Sequence, residues 1–140
     1  MPARQIAAGG TRGTVFAEAA RLRFADADVL FNCRRFSGAV YLAGYAIECH
    51  LKYAYCELKS QTYLPGHLET HRWEKLKHAA GLDPAFAAQE HRKMKALFDA
   101  LVETWSENLR YNTKSLPERE GTRLYNEMRE LYKFIQELAP

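Results

Sequence analysis

The sequence predicts an all-α protein, an antiparallel up-and-down four-helix bundle with one short extra helix. Apolar residues recur at three- and four-residue spacing along most of the 140-residue chain, which is the period of an amphipathic helix. Ala, Leu, Glu, Lys and Arg are abundant and favour helix, whereas strand-like alternation is nearly absent. Four long helical segments joined by connections favour a bundle, and 47% hydrophobic residues can fill its core.

The chain begins with a glycine-rich stretch, residues 1–13, which we expect to be a flexible N-terminal leader. A single helical domain is then predicted at residues 14–140. Its first helix should run from Thr14 to Asn32, because phenylalanine and alanine recur there at helical spacing. A short break at residues 33–35 separates it from the second helix.

The second helix, predicted from Arg35 to Lys59, is the clearest element and is expected to lie at the centre. It carries two stripes at helical spacing, so it should contact neighbours on more than one side. The apolar stripe consists of Val40, Ala43, Ile47, Leu51, Ala54 and Leu58. The other stripe consists of Tyr41, Tyr45, Glu48, Lys52 and Tyr55.

Three more helices are predicted after the Pro65–Gly66 turn. A short helix should run from His71 to Ala80 and end at Gly81, a suitable C-terminal cap. Asp83–Pro84 is a strong helix start, and the third long helix should run from there to Asn108. The last helix should bury Leu124, Met128, Leu131, Ile135 and Leu138.

Composition excludes several classes of protein. The net charge of +3 permits contact with phosphate groups but does not require it. The longest charge-free stretch in the middle of the chain, Phe36 to Ile47, is too short for the ~20 apolar residues that a membrane span needs. Cys33, Cys49 and Cys56 show no CxxC spacing, so we expect buried, reduced thiols in a soluble cytoplasmic protein.

No cofactor motif is present in the sequence, and a metal site is not expected. His67 and His71 flank Glu69, but the segment follows a Pro–Gly turn and contains no H-E-x-x-H helix. We therefore interpret His71 as a residue of the helix start.

Three motifs in order resemble the HEPN family (higher eukaryotes and prokaryotes nucleotide-binding). The small-residue run from Ala39 that continues through Glu48 to Lys52 is similar to the central helix of these domains. His71, followed by Arg-Trp-x-x-Leu, and Trp105-Ser-Glu-Asn-Leu-Arg-Tyr match two later family segments in the same order. The resemblance covers roughly residues 14–138.

Catalytic members of this family are metal-independent ribonucleases with an arginine followed, four to six residues later, by a histidine. Arg110 stands in the arginine position, but no histidine follows His91 anywhere in the chain. Arg72 and His78 have the same spacing, but they precede the third long helix. The resemblance therefore implies a member without the usual ribonuclease motif, and we predict a non-catalytic domain.

The resemblance also implies a homodimer that binds a nucleotide, RNA or a partner protein. Arg110 would recognise a phosphate or acid, with Asn112 and Lys114 beside it. Glu48 and Lys52 on the facing helix would orient the arginine, in part through a Glu48–Arg110 ion pair. In bacteria such proteins often pair with a small nucleotidyltransferase in a two-gene toxin–antitoxin or defence module.

Other interpretations remain open at this stage. A degenerate ribonuclease would use Arg110 with Lys114 or with His71 in place of the missing histidine. A purely structural protein would use its tyrosine-rich helix as a dimerisation surface. Glu48 and Lys52 could also form an ordinary i,i+4 surface pair.

Overall fold

The computed structural model describes residues 10–105 and 116–140. Its helices follow the apolar periodicity of the sequence. Across these two ranges the chain forms helices and no β-strand, apart from an isolated bridge between Arg12 and Tyr63. The all-α prediction is therefore confirmed. The helices are α1 (Gly13–Asn32), α2 (Phe36–Leu58), α3 (Trp73–Ala79), α4 (Asp83–Ala87), α5 (Arg92–Thr104) and α6 (Glu118–Leu138), with 3₁₀ turns at Gly66–Leu68 and Gln89–His91.

α2 is buried on nearly its whole circumference and contacts α1, α6 and α3. Small side chains allow this close packing, since the alanines at 39, 43, 46 and 54 are fully buried. Leu58, predicted for the apolar stripe, is instead exposed, because it is the last residue of the helix. Trp105 covers Gly44, where its indole lies in the space that a side chain would occupy.

The turn between α1 and α2 consists of residues 33–35, as the sequence predicts. Arg34 adopts a φ of 61°, which is uncommon for a residue with a side chain and lets the chain reverse within three residues. Cys33 is exposed, so the expectation of a buried thiol is wrong at this position. The reason is its place at the end of α1, where the chain leaves the packed helix face; Cys49 and Cys56 are buried.

The prediction of one long helix from Asp83 to Asn108 is wrong in its extent, because two helices, α4 and α5, form in its place. Ala88 has an extended backbone with ψ of 137°, which separates α4 from the 3₁₀ turn and from α5. Between Phe86 and Met94 the sequence offers only alanine and polar residues, so no large apolar side chain holds this segment against the core. The break gives the described chain two short helices, α3 and α4, where one was expected.

α6 packs against both α1 and α2. Towards α1, Tyr125 stacks on Phe31 with ring centroids 4.3 Å apart, and Tyr132 stacks on Phe24 at 4.6 Å. Towards α2, Gly121 lies against Phe36 at one end. At the other end of α6, the His50 side chain on α2 is hydrogen bonded to the backbone carbonyl of Ala139.

The predicted leader falls partly within the described chain. Thr11 accepts a hydrogen bond from the backbone of Leu64 at 2.9 Å, and Gly13 donates one to Thr62 at 2.9 Å. α1 begins at Gly13, one residue before the predicted start. None of the helices in the two described ranges is long and apolar enough to cross a membrane.

Replacing Gly44 by alanine is expected to lower the free energy of unfolding by about 1–3 kcal/mol through overpacking. The new methyl carbon would overlap Nε1 of Trp105, and the indole cannot move without leaving the core. Gly66→Ala is the matched control, since nothing lies within 4 Å of a methyl carbon there. Urea unfolding of both variants checks the prediction, and equal losses would contradict it.

Candidate functional site

Glu48 and Lys52 lie one turn apart on α2 and form a buried ion pair. Nζ of Lys52 donates a hydrogen bond to Oε2 of Glu48 at 2.9 Å. The two residues are only 1% and 8% exposed, so the pair is not the surface pair that its spacing alone allows. A buried carboxylate is stable only when its oxygens are hydrogen bonded and its charge is balanced, and Lys52 supplies the balancing charge.

His71 completes the cluster from the loop that precedes α3. Its Nδ1 lies 2.8 Å from Oε1 of Glu48. Because an ionised carboxylate only accepts hydrogen bonds, Nδ1 carries the hydrogen. The His71 side chain is 41% exposed, and Nε2 is the ring nitrogen left to meet a ligand.

The charge of this cluster depends on His71. Glu48 and Lys52 cancel, so the three side chains together carry no net charge when the imidazole is neutral and one positive charge when it is protonated. The Lys52 ammonium also lies over the ring of Phe16 on α1, 5.5 Å from its centroid, in a cation–π contact. The cluster therefore holds a fixed imidazole at the surface above a neutralised, buried pair.

The neighbouring thiol is not suited to nucleophilic chemistry. Burial, reinforced by the nearby Glu48 carboxylate, raises the pKa of the Cys49 thiol to about 11. Burial also raises the pKa of Tyr45, one turn before Cys49 on α2. Both groups are therefore protonated near neutral pH.

Three predicted site residues belong to the segment between the two described ranges. Arg110, Asn112 and Lys114 lie outside the described residues, so the Glu48–Arg110 ion pair stays a prediction. The described residues on either side of that segment both contact α2. Nε1 of Trp105 donates to the carbonyl of Tyr41 at 3.1 Å, and the backbone of Leu116 donates to Oγ of Ser37 at 2.9 Å.

Arg72 and His78, which have the arginine–histidine spacing of the ribonuclease motif, each contact a carboxylate at the surface. Arg72 contacts Glu74 at 3.5 Å, while His78 bonds Asp83 at 2.6 Å and its side chain is 83% exposed. Each member of the pair with ribonuclease-like spacing therefore has a carboxylate partner of its own. Within the described ranges no group of three His, Cys, Asp or Glu side chains is arranged to hold a metal.

A second polar cluster was not predicted from the sequence. The Tyr125 hydroxyl donates a hydrogen bond to Asp28, and Nη2 of Arg129 donates to the same carboxylate oxygen at 2.9 Å. Burial, reinforced by Asp28, raises the pKa of Tyr125 to about 12. The i,i+4 spacing of Tyr125 and Arg129 was the available signal, but their partner lies on α1, far away in sequence.

His50 anchors the end of the described chain. Its Nε2 bonds the carbonyl of Ala139 at 2.7 Å, and the Tyr53 hydroxyl donates to the carbonyl of Pro140 at 2.8 Å. Nδ1 of His50 is buried without a hydrogen-bond partner. Burial lowers the pKa of His50 below its ordinary value of 6.5, although the bond to Ala139 acts in the opposite direction.

His50 should make the protein sensitive to acid. Below pH 6.5 the unfolded chain binds a proton at this residue that the folded chain resists, so stability falls as the pH falls towards the folded-state pKa. Above pH 6.5 both states are neutral at this residue and it adds no pH dependence. Urea unfolding between pH 7.5 and about 5 should therefore show a steeper loss for wild type than for His50→Asn. Variant His67→Asn, at an exposed position, should follow wild type; parallel profiles for all three proteins would contradict the prediction.

Removing Glu48 should expose the cost of burying Lys52. Glu48→Ala is expected to lower the free energy of unfolding at neutral pH by about 3–5 kcal/mol, because the ammonium stays buried without its carboxylate. The double variant Glu48→Leu/Lys52→Met should recover most of this loss, since it removes both charges and keeps the volume.

The control for this measurement is an exposed pair with the same spacing and length. Nζ of Lys95 lies 2.9 Å from Asp99, and both side chains are about half exposed. Asp99→Ala should therefore cost less than about 1 kcal/mol. Equal costs at Glu48 and Asp99 in urea unfolding would show that burial of the Glu48 pair has no energetic consequence.

The cluster of Glu48, Lys52 and His71 is the arrangement in the described chain that joins a buried charge pair to a surface imidazole. The resemblance to HEPN domains rests on sequence motifs alone. Comparison of the chain with family models, with curated proteins and with solved structures gives no match.

Proposed function

We propose that this chain is a HEPN-like helical domain that binds RNA or a nucleotide without cleaving it. His71 and the buried pair beneath it form one part of the ligand site. The observation that carries the proposal is the hydrogen bond from half-exposed His71 to buried Glu48, at 2.8 Å. It fixes an imidazole at the surface in the one region where the described residues match two of the family's motifs.

The same proposal includes the finer architecture, an antiparallel up-and-down four-helix bundle. The contacts of α6 support it: Phe31 meets Tyr125 and Phe24 meets Tyr132, so residue numbers rise on one helix as they fall on the other. Against α2 the residue numbers rise together, because Gly121 meets Phe36 and Ala139 meets His50. This parallel direction is expected for the second and fourth helices of such a bundle. α3 and α4 are the short additions between the second and third long helices.

The choice of an anion as ligand follows from charge. Because Lys52 neutralises Glu48, a protonated His71 presents a positive charge that its own partner does not cancel. A hydrogen bond from a charged donor to a phosphate oxygen is short and strong. Arg110, with Asn112 and Lys114, is proposed to supply the rest of the site.

The resemblance supports two partners. We propose a homodimer, and a small nucleotidyltransferase as the second component of a toxin–antitoxin or defence pair. Neither follows from the chemistry of Glu48, Lys52 and His71, so each is independent of the ligand.

A second candidate function, metal-independent RNA cleavage, is favoured by one specific observation. A histidine whose Nδ1–H is held by a carboxylate is the arrangement of a general base, because the carboxylate fixes the tautomer and stabilises the imidazolium that forms. In such a reaction Nε2 of His71 would take the proton of the 2′-hydroxyl. Incubation of the protein with a structured RNA in the presence of EDTA separates the candidates, since cleavage abolished by His71→Asn would replace the first proposal with this one.

His71→Asn should weaken ligand binding without unfolding the protein. The asparagine amide can replace Nδ1 as the donor to Glu48, but it has no group in the place of Nε2. We expect the dissociation constant for a fluorescein-labelled RNA, measured by fluorescence anisotropy at low salt, to rise by about tenfold, equivalent to about 1.4 kcal/mol. The melting temperature should stay that of wild type.

His78→Asn is the matched control for that measurement. His78 is also a histidine paired with a carboxylate, but it is highly exposed and bonds Asp83 instead of Glu48. Its replacement should leave RNA affinity unchanged. Equal effects of the two substitutions, or no effect of either, would contradict the assignment of the site to His71.

A further inference from the structure

The hydrogen bond between His71 and Glu48 determines what the exposed ring nitrogen of His71 offers a ligand. Nδ1 lies 2.8 Å from Oε1 of Glu48 and carries a hydrogen as long as the carboxylate is ionised. A neutral imidazole has one ring hydrogen, so Nε2 is then a hydrogen-bond acceptor. Neutral His71 can therefore accept a hydrogen bond from a hydroxyl or N–H group of a ligand, but it cannot donate one to a phosphate oxygen.

Lys52 is the group that keeps the Glu48 carboxylate ionised. Nζ of Lys52 lies 2.9 Å from Oε2, and the Glu48 side chain is 1% exposed, so water does not supply the balancing charge. A buried carboxylate without a cation takes up a proton or draws one onto a neighbouring base. Because Lys52 provides the charge, His71 can bond Glu48 and still be neutral.

Without the Lys52 ammonium, the pair of Glu48 and His71 would bind one more proton, and both positions for that proton have the same consequence. If the proton is on His71, the imidazolium carries a hydrogen on each ring nitrogen. If it is on Glu48, the carboxyl group donates to Nδ1, and the single ring hydrogen is on Nε2. These are two states of one coupled pair. Nε2 is a donor in both.

Two other titratable groups of α2 beside the cluster carry no charge. The raised pKa values of Cys49 and Tyr45 keep the thiol and the phenol protonated near neutral pH. From α1, the ring of Phe16 faces the Lys52 ammonium and brings no charge. The charge that balances Glu48 inside the protein is therefore that of Lys52.

The charged groups described near the cluster on α1 and at the start of α3 have carboxylate partners of their own. Arg23 on α1, whose charge acts on the neighbouring thiol of α2, lies 3.4 Å from Asp26. Arg72, next to His71, lies 3.5 Å from Glu74. These four side chains are largely exposed, so water screens their charges and they do not take the place of Lys52.

We propose that Lys52 is a positioning residue that makes Nε2 of neutral His71 an acceptor, so that the site takes up one proton from solvent whenever Nε2 binds a phosphate oxygen. The uptake rests on the proposed function, because it accompanies RNA binding, whereas the position of the ring hydrogen does not depend on any ligand. Phosphate binding at this site is therefore coupled to pH. Once the imidazole of the free protein is neutral, each further pH unit should weaken binding about tenfold.

The first test locates the ring hydrogen by ¹⁵N NMR of the histidine side chains at about pH 8, since bare and protonated ring nitrogens differ in chemical shift. His71, identified by the signals missing from His71→Asn, should carry its hydrogen on Nδ1 in wild type and in Lys52→Arg, which keeps the charge. In Lys52→Met, shown to be folded by circular dichroism, Nε2 should carry a hydrogen. A hydrogen on Nε2 of neutral wild-type His71 would overturn the proposal even if Lys52→Met does not fold, and so would an unchanged His71 in folded Lys52→Met.

The matched control is a trio of the same residue types at the surface. Nδ1 of His78 lies 2.6 Å from one oxygen of Asp83, and Nζ of Lys77 lies 3.3 Å from the other. The Asp83 side chain is 43% exposed, so water balances its charge when the ammonium is removed. Lys77→Met should therefore leave the ring hydrogen of His78 where it is in wild type. Equal changes at His71 and His78 would show that burial of the carboxylate is not the cause.

The second test measures the protons taken up when a structured RNA binds, by calorimetric titration at about pH 8 in Tris and in HEPES, which differ in ionisation enthalpy. Wild type should take up about one proton more than His71→Asn or Lys52→Met. RNA binding with equal uptake in all three proteins would overturn the coupling and leave the proposed RNA binding intact. Absence of RNA binding would refute the proposed function together with the uptake, whereas the NMR result on the ring hydrogen would stand by itself.

Discussion

The enclosure of α2 is the constraint on which the rest of the structure depends. A helix with packed neighbours on nearly every side exposes little of its surface to water, so a polar group on it is stable when it finds a partner inside the protein. Three such partners come from other parts of the chain. Glu48 holds the loop before α3 through His71, His50 holds the end of α6 at Ala139, and the Tyr41 carbonyl holds the end of α5 through Trp105. Polar contacts thus fix the connections, while apolar packing fixes the helices.

The same constraint links stability to the candidate chemistry. Glu48 is buried for structural reasons, because it occupies the centre of an enclosed helix. Once buried, it requires a cation and a donor, and the donor is a histidine that is still half exposed. The hydrogen bond that satisfies the buried Glu48 carboxylate therefore also fixes the tautomer of His71 at the surface. The sequence did not predict this role for His71, while the expected Glu48–Arg110 ion pair stays a prediction because Arg110 lies outside the described residues.

Much of the fold could be predicted from periodicity. α1 and α2 end within one residue of their predicted limits, because long amphipathic patterns determine where burial begins and stops. The break at Ala88 could not be predicted, since no proline or glycine marks it and it reflects only a lack of apolar side chains. Cross-helix partners such as Asp28 with Tyr125 are 97 residues apart and leave no local signal. His71 was weighed from the sequence, but its bond to Glu48 depends on how the loop returns to α2.

The stacking of Trp73 on Trp105 has a spectroscopic consequence. The chain contains two tryptophans, and their ring centroids are 5.2 Å apart at the junction of α3 and α5. Tryptophan fluorescence, excited at a wavelength that tyrosine does not absorb, therefore reports on that junction, whereas circular dichroism at 222 nm averages over every helix. Coincident transitions by the two methods would indicate cooperative unfolding, and an earlier change in emission would identify the α3–α5 junction as the first part of the protein to open.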